Sequence, residues 1–425
     1  MNRIRPFRAL RYDPARVDLS RVVAPPYDVI ADEERGAWYA RDPYNAIRLE
    51  LTRDAADEAA SDYGEIARTL AAWQREGVLR RDPRPALYAL RQRFRAPDGV
   101  AWVREAFFGL LHLEDYASGV VRPHEQTLAG PKADRLKVIR ASRANLSSVF
   151  LLYEDRGQAL ARELAPVFEG GRALEVPVEE GAAHVLAPFD DPARIRAVAE
   201  RLAGLPLVIA DGHHRYETAL AYRDECRARA GGGVDPEAPS EWILACFANA
   251  FAPGTLLLPI HRLVKKGSLP TPEAWAERLP GWTRREVALP RAEDVPALLA
   301  LHLAPLRDRH AFALDDASGR LALFSRPADG RLSVRAIHRE VIEGVFGLDE
   351  EAVRQGAIDY PKDALQTARE LRRGRGLAAL YLNALTADDV FRATAAGELM
   401  PQKSTFFYPK LPTGLVLRTF DGSDA

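Results

Sequence analysis

Pro206-Leu207-Val208-Ile209-Ala210-Asp211-Gly212-His213-His214-Arg215-Tyr216-Glu217 decides how this chain is read. A short apolar run stops at Asp-Gly. Two histidines and an arginine come next, and then a helical pattern, Thr218-Ala219-Leu220-Ala221-Tyr222-Arg223-Asp224-Glu225. That order predicts strand, tight turn, helix. Gly212 lets the backbone approach whatever binds there. His213, His214 and Arg215 fall where the first unbonded N–H groups of the helix point, and such a terminus attracts anions, phosphate above all. A plainer reading stands beside this one. Asp-Gly is a common turn, Asp211 can serve as a helix cap, and histidines pack or face water. Taken together, the five residues after a strand and before a helix favour a site.

The composition sets the frame. Of 425 residues, 47% are hydrophobic and 28% charged, which is globular and long enough for two or three domains. The net charge of -1 gives no sign of a general nucleic-acid or membrane binder. Two cysteines, Cys226 and Cys246, are too few for a disulfide framework and fit a reducing compartment. The opening residues lack a long apolar stretch, and no run approaches the ~20 needed for a membrane span, so a cytoplasmic location is expected. Only seven of the 59 basic residues are lysines. Arg does not replace a compact ammonium in a tight phosphate site, so Lys132, Lys403 and Lys410, in motif-like stretches, draw notice.

Outward from the opening stretch, Ala24-Pro25-Pro26-Tyr27-Asp28-Val29 carries two prolines that forbid a central strand or helix. It is expected to be a rigid extended segment presenting Tyr27 and Asp28. Residues 61–76 are patterned as an amphipathic helix with Tyr63, Ile66, Leu70 and Trp73 on one face. Strands are expected at 86–95 and 100–113 around Pro97-Asp98-Gly99, and at 147–153, 206–210, 242–249 and 255–264. Helices are expected near 31–40, 157–168 and 191–203. The remainder reads as a separate α/β unit, with strands at 311–315, 320–325 and 377–383 and helices at 292–303, 334–346, 362–373 and 386–396. The linker-like stretch is 265–275.

Other residues can carry chemistry. His124-Glu125 can share a proton, bind a metal or position a water. Thr127, Lys132, Asp134 and Arg135 are near in sequence, and cations beside a carboxylate can clamp an oxyanion. A salt-bridged junction between loop and helix explains them equally well. The tail presents Lys403, Ser404, Thr405, Tyr408 and Lys410 among prolines, a rigid cationic loop suited to closing on an anion. His261-Arg262 is another candidate wall, although a partly buried His at a strand end is the simpler reading. No His-x-His, His-Glu-x-x-His or Cys-x-x-Cys is present, nor a Walker A, Gly-x-Gly-x-x-Gly or Gly-x-Ser-x-Gly sequence. Asp211 and Glu125, with a phosphate, suit Mg²⁺.

These motifs carry a family resemblance. Ala-Pro-Pro-Tyr-Asp-Val (24–29), Pro-His-Glu-x-Thr (123–127), Pro-Lys-x-Asp-Arg (131–135), Ala-Asp-Gly-His-His-Arg-Tyr-Glu-Thr (210–218), Pro-x-His-Arg (259–262) and Met-Pro-Gln-Lys-Ser-Thr-x-Phe-Tyr-Pro-Lys (400–410) together resemble domain-of-unknown-function family 1015, in order and across the chain. Asp211-Gly212-His213-His214-Arg215 is also similar to the phosphate box of the ParB–sulfiredoxin superfamily, which includes sulfiredoxin, CTP-binding ParB proteins and free-serine kinases. The likeness implies that Gly212, His213, His214 and Arg215 hold phosphate and that Asp211 meets metal or substrate. Homologues tend to be encoded beside serine-biosynthesis enzymes, which implies phosphoserine or serine as substrate by association only.

The expectation is therefore an α/β (α+β) protein. Residues 1–265 would form a ParB/sulfiredoxin-like core with large elaborations, and 266–425 a smaller α/β domain with a closing tail loop. The expected function is phosphoryl transfer on a small phosphorylated metabolite, with O-phosphoserine/serine first. Catalytic roles are expected for His124, Glu125, Asp211 and His214, with His124 carrying the proton. Phosphate or substrate binding falls to Gly212, His213, Arg215, Tyr27, Asp28, Lys132, Arg135, Lys403, Ser404 and Lys410. Asp211 and Glu125 would hold Mg²⁺, and ADP or ATP is the candidate nucleotide. Tyr27, His124, Arg215 and Lys403 are expected to line one pocket. The alternatives are a nucleotide-binding regulator of ParB-like type, with near-neutral charge and no visible helix-turn-helix arguing against DNA, and a metal-dependent hydrolase of another ester.

Overall fold

The computed structural model describes residues 3–52, 62–125, 129–178, 182–401 and 403–422. Thr127 and Gln402 of the quoted motifs lie outside them. By internal contacts the chain divides into Met1–Leu256 together with Pro409–Ala425, and Leu257–Tyr408. The sequence expectation drew its single division at 265/266. The last stretch joins the first unit because Arg418–Thr419 pairs antiparallel with Ala144–Asn145, and the amides of Leu417 and Thr413 donate to the carbonyls of Leu10 and Ala24. No helix among the described residues is long and apolar enough to cross a membrane.

The first unit is built on a nine-stranded mixed sheet. Its strands are β1 (Ile4–Arg5), β2 (Leu87–Arg95), β3 (Ala101–His112), β4 (Val121–Arg122), β5 (Val149–Tyr153), β6 (Leu174–Pro177), β7 (Ala183–Phe189), β8 (Leu207–Asp211) and β9 (Trp242–Asn249). The spatial order is β4-β8-β5-β9-β3-β2-β7-β6, with β1 also on β3. Pairing is antiparallel except for β8 with β4 and β9 with β5. The sheet is mixed α/β architecture, as the alternation of apolar runs and amphipathic segments requires.

Both faces of the central strands are buried, so they read as nearly continuous apolar runs. One face forms the main core: Phe107, Leu151, Ile209, Ala245 and Phe247 meet Leu160, Val198, Leu202, Tyr216 and Ala219 from helices. Phe107 and Phe247 stack with ring centres 5.0 Å apart. The helices that matter below are α1 (Tyr63–Arg75), α2 (Ala129–Ser142), α3 (Pro192–Ala203) and α4 (His213–Arg229). In α1, Ile66, Leu70 and Trp73 are buried, as the spacing predicts. In α3, Asp191 caps the first turn through the Ala193 amide and Pro192 takes the first position.

The segment at 24–30 departs from the extended expectation. Pro26 is extended, but Tyr27–Val29 then form a 3₁₀ turn closed by the Ile30 amide on the Tyr27 carbonyl. Proline constrains itself and the residue before it, so Pro25 and Pro26 leave the residues after them able to turn.

The second unit carries a six-stranded sheet of β10 (Arg262–Val264), β11 (Thr283–Ala288), β12 (Arg309–Asp315), β13 (Arg320–Pro327), β14 (Ile358–Asp359) and β15 (Ala378–Leu382), in the order β11-β13-β12-β15-β10-β14. Every pair is antiparallel. Its core joins Leu263, Ala313, Leu323 and Tyr381 to Val295, Ala368 and Leu371. The strand expected at 255–264 is two strands, Leu256–Leu258 and Arg262–Val264, interrupted at Pro259.

Candidate functional site

The end of β8 is where alternation breaks. Ile209 lies opposite Leu151, and both belong to the main core. The register then shifts, and Asp211 rather than Ala210 lies opposite Phe150. One extra residue in a strand reverses the facing of every residue after it. Without this bulge Asp211 would point into the apolar core with Leu207 and Ile209. With it, the carboxylate shares the opposite face with Phe150.

Gly212 makes the turn from strand to helix with φ +91°, in the left-handed region. A β-carbon there would stand 3.0 Å from Arg215 Nε and 3.1 Å from its Cζ, so both conformation and space call for glycine. Gly212 is the N-cap of α4. Among the described residues no side chain caps this terminus, and its first turn holds no acid. The capping role open to Asp211 is thus not the one it takes. Its Oδ2 accepts from Arg215 Nη2 at 2.5 Å, one helical turn on, and its Oδ1 accepts from the ammonium of Lys410. Burial alone would raise the Asp211 carboxyl, but the Lys410 and Arg215 charges outweigh it and hold the group well below the usual carboxylate range. Burial works against charge on Arg215 too, and the Asp211 carboxylate reverses that and raises it.

Arg215 also donates through Nη1 to the Ser148 carbonyl. Its buried Nε has no hydrogen-bond partner among the described residues. The Tyr27 ring is approached by two guanidinium groups, with Arg135 Cζ 4.2 Å and Arg215 Cζ 6.0 Å from its centre. Burial pushes the Tyr27 phenol up to about 12. Asp28 is exposed to water, yet desolvation by the protein around it, together with the Asp211 charge, raises its carboxyl.

The two histidines before Arg215 differ. His213 is buried, and its ring meets that of His124 edge-on with centres 4.5 Å apart. The His124 amide donates to His213 Nε2 at 3.3 Å, and His213 Nδ1 lies 3.5 Å from Glu125 Oε1. Burial, then the neighbouring His124, hold the His213 imidazole well below its ordinary value. His124 Nδ1 donates to the Ile209 carbonyl at 2.5 Å, and burial pushes its pKa down to about 4. His124 is therefore neutral at pH 7, with its remaining lone pair on Nε2. His214 is half-buried; burial lowers it, and Glu125 and Glu217 oppose the shift.

The remaining candidates divide. Lys132 Nζ pairs with Glu217 Oε2 at 3.0 Å, tying α2 to α4. Arg135 is buried and fully engaged, by Glu50 Oε2 at 3.0 Å, the Glu50 carbonyl at 2.8 Å and Asp134. Its guanidinium also packs on the Tyr27 ring. Lys403 and Ser404 belong to the second unit. Lys403 is exposed with φ +56°, and Ser404 Oγ donates to the Pro401 carbonyl at 2.5 Å. Lys410, two residues beyond that unit, stands in the first. Sequence reasoning missed Glu50 and Glu217, whose partners are each 85 residues away.

The arrangement is a strand-to-helix turn whose helix terminus is uncapped, with two cations held beside it on one carboxylate. Such a terminus offers backbone N–H groups and surplus positive charge to an anion. As placed, Asp211 does not suit Mg²⁺, because both its oxygens are engaged by cations.

Known proteins provide a family and distant structural neighbours. A family model described as "Protein of unknown function (DUF1015)" matches residues 4–314. No protein of curated function matches the chain. Among solved structures, a conserved hypothetical protein from Pyrococcus furiosus is similar at 14% identity and a TM-score of 0.35, over 70% of this chain and 92% of its own. A free serine kinase in complex with AMP has 14% identity and a TM-score of 0.35, over 70% of this chain and 89% of its own. SbnI with a C-terminal truncation, from Staphylococcus aureus, has 11% identity and a TM-score of 0.35, over 75% and 90%.

Proposed function

This chain belongs to the DUF1015 family, and on that footing we propose that it is a phosphoryl-transfer enzyme acting on a small phosphorylated metabolite, O-phosphoserine or its product serine. The observation that carries the reading is the uncapped terminus of α4 at Gly212, with Arg215 fixed beside it by Asp211 and Ser148. A phosphoryl group there would accept hydrogen bonds from the first N–H groups of α4 and from Arg215 Nε, which has no partner among the described residues. Lys410, on the same carboxylate, would neutralise charge as it moves to the leaving oxygen.

The proton would pass through His214 and Glu125. His214 is half-buried, with burial lowering it and Glu125 and Glu217 opposing the shift, whereas the Nδ1 of His124 is engaged by the Ile209 carbonyl. Tyr27 and Asp28 would wall the site on the far side of Arg215, and Lys132 would exchange Glu217 for an anionic group of the ligand. Lys403 and Ser404 remain proposed binding residues on their chemistry alone. ADP or ATP is proposed as second substrate on the same phosphate-binding ground, and Mg²⁺, if used, would be brought by the nucleotide rather than held by Asp211.

The test is phosphorus NMR of the full chain with O-phosphoserine and Mg²⁺, with and without ADP. Inorganic phosphate, or ATP, should form. Arg215→Ala should slow this by about 10²- to 10³-fold. An unchanged spectrum with wild type would remove O-phosphoserine as substrate and make a nucleotide-binding regulator the leading reading, to be judged by nucleotide binding without turnover.

A further inference from the structure

We propose that His124, Glu125 and His213 form a binding site for a divalent first-row transition ion. One donor atom from each lies within 4.8 Å of the other two. The three come from two parts of the first unit: His124 and Glu125 come just after β4, and His213 opens α4. Within the trio, His213 Nδ1 and Glu125 Oε1 are 3.5 Å apart. Donors of a tetrahedral site with bonds near 2.1 Å stand roughly 3.4 Å apart, so this edge is already of the right length.

The hydrogen bonds around His124 prepare it as a ligand. Its Nδ1 proton is committed to the Ile209 carbonyl, which fixes the tautomer and turns the Nε2 lone pair to the other side of the ring. A ligating histidine whose other nitrogen donates to a backbone carbonyl is the usual outer arrangement of metal sites. His213 is less prepared. Its Nε2 accepts the His124 amide hydrogen at 3.3 Å, which leaves the ring proton on Nδ1, facing Glu125. Coordination at Nδ1 moves that proton to Nε2 and gives up the long amide bond. The ion thus takes the place of the His213 Nδ1 proton that faces Glu125.

Two imidazoles and one carboxylate select the ion. Mg²⁺ and Ca²⁺ want oxygen donors, whereas Zn²⁺, Co²⁺ and Mn²⁺ accept this mixed set. Three protein ligands leave open positions, as in catalytic rather than structural sites. Because His213 is the first residue of α4, an anion's oxygen at that terminus would complete the shell. The site goes beyond the phosphoryl-transfer reading, and its occupancy is measured without any turnover.

The test uses the full chain, stripped with chelator and titrated with Co²⁺ alone, followed by visible absorption and by metal content after dialysis. The expected result is one Co²⁺ per chain with d–d bands, displaced by Zn²⁺ and not by excess Mg²⁺. Glu125→Gln, at a partly exposed position, should weaken binding by at least tenfold. His302→Gln, in the second unit, should leave it unchanged. Absence of stoichiometric binding would overturn the proposal, and so would binding that survives Glu125→Gln, because the ion would then sit elsewhere. His124→Gln, checked for folding by circular dichroism, provides the second ligand test.

Discussion

Lys410 and Asp211 are 199 residues apart and form an ion pair on the carboxylate that also holds Arg215. Both partners are mostly buried, with side chains 18% and 12% exposed. Removing one member of a buried pair strands the charge of the other. Asp211→Ala strands two cations, whereas Lys410→Met leaves Asp211 with Arg215. Urea unfolding should therefore show about 3 kcal/mol lost for Asp211→Ala and no more than about half of that for Lys410→Met. Equal losses would mean that Arg215 does not compensate Asp211.

Gly212→Ala separates conformation from binding. The left-handed backbone disfavours alanine by about 1 kcal/mol, a shift of a few degrees in Tm. The new methyl group presses on Arg215 Nε at 3.0 Å and moves the guanidinium. Phosphate or nucleotide affinity, by equilibrium dialysis, should fall by tenfold or more while the fold survives. Unchanged affinity would place the anion away from this turn.

Lys132→Ala asks whether the α2–α4 pair is structural. Lys132 is 39% exposed, and such pairs contribute less than about 1 kcal/mol. Stability should hardly move. A loss of turnover at unchanged Tm would assign Lys132 to the ligand; a loss of stability above about 2 kcal/mol would assign it to packing.

Acid should weaken the fold through His184. This residue is buried on β7, its Nδ1 has no hydrogen-bond partner among the described residues, and burial, then the Arg104 charge, push its pKa down to about 4. Unfolded, it takes up a proton near pH 6.5. Between those values the unfolded chain binds more protons, so stability falls as pH drops from 6.5 to 4, by roughly 3 kcal/mol in full. His184→Gln should flatten that part of the pH profile of Tm. A profile unchanged by the substitution would show that His184 is protonated in the folded chain.

Much of this was legible in the residues. The runs at 86–95, 100–113 and 242–249 are strands, and Pro97-Asp98-Gly99 turns between the first two. The strand, Gly212 and helix were legible because period, turn and helix pattern agree locally. The strand Thr283–Ala288 was not. It is an edge strand, Thr-Arg-Arg-Glu-Val-Ala, facing water at nearly every position, so no apolar alternation marks it. Ala183–Phe189 was hidden by His184 and Pro188 within an otherwise apolar run. At the site, residue types were legible and partners were not. Nothing near Arg135 in sequence announces Glu50, and nothing in Ile209-Ala210-Asp211 announces the bulge that turns Asp211 away from the core.

The return of Pro409–Ala425 to the first unit has a consequence for synthesis. At about 5 to 20 residues per second, a ribosome that has made Asp211 needs roughly 10 to 40 s to make Lys410. Throughout that interval the nascent chain carries a first unit without its final segment, with Arg215 the one cation already made for the Asp211 carboxylate. The anion-binding corner is thus completed late in translation, and a stalled or truncated chain would present it half-built to whatever chaperone or protease meets it first.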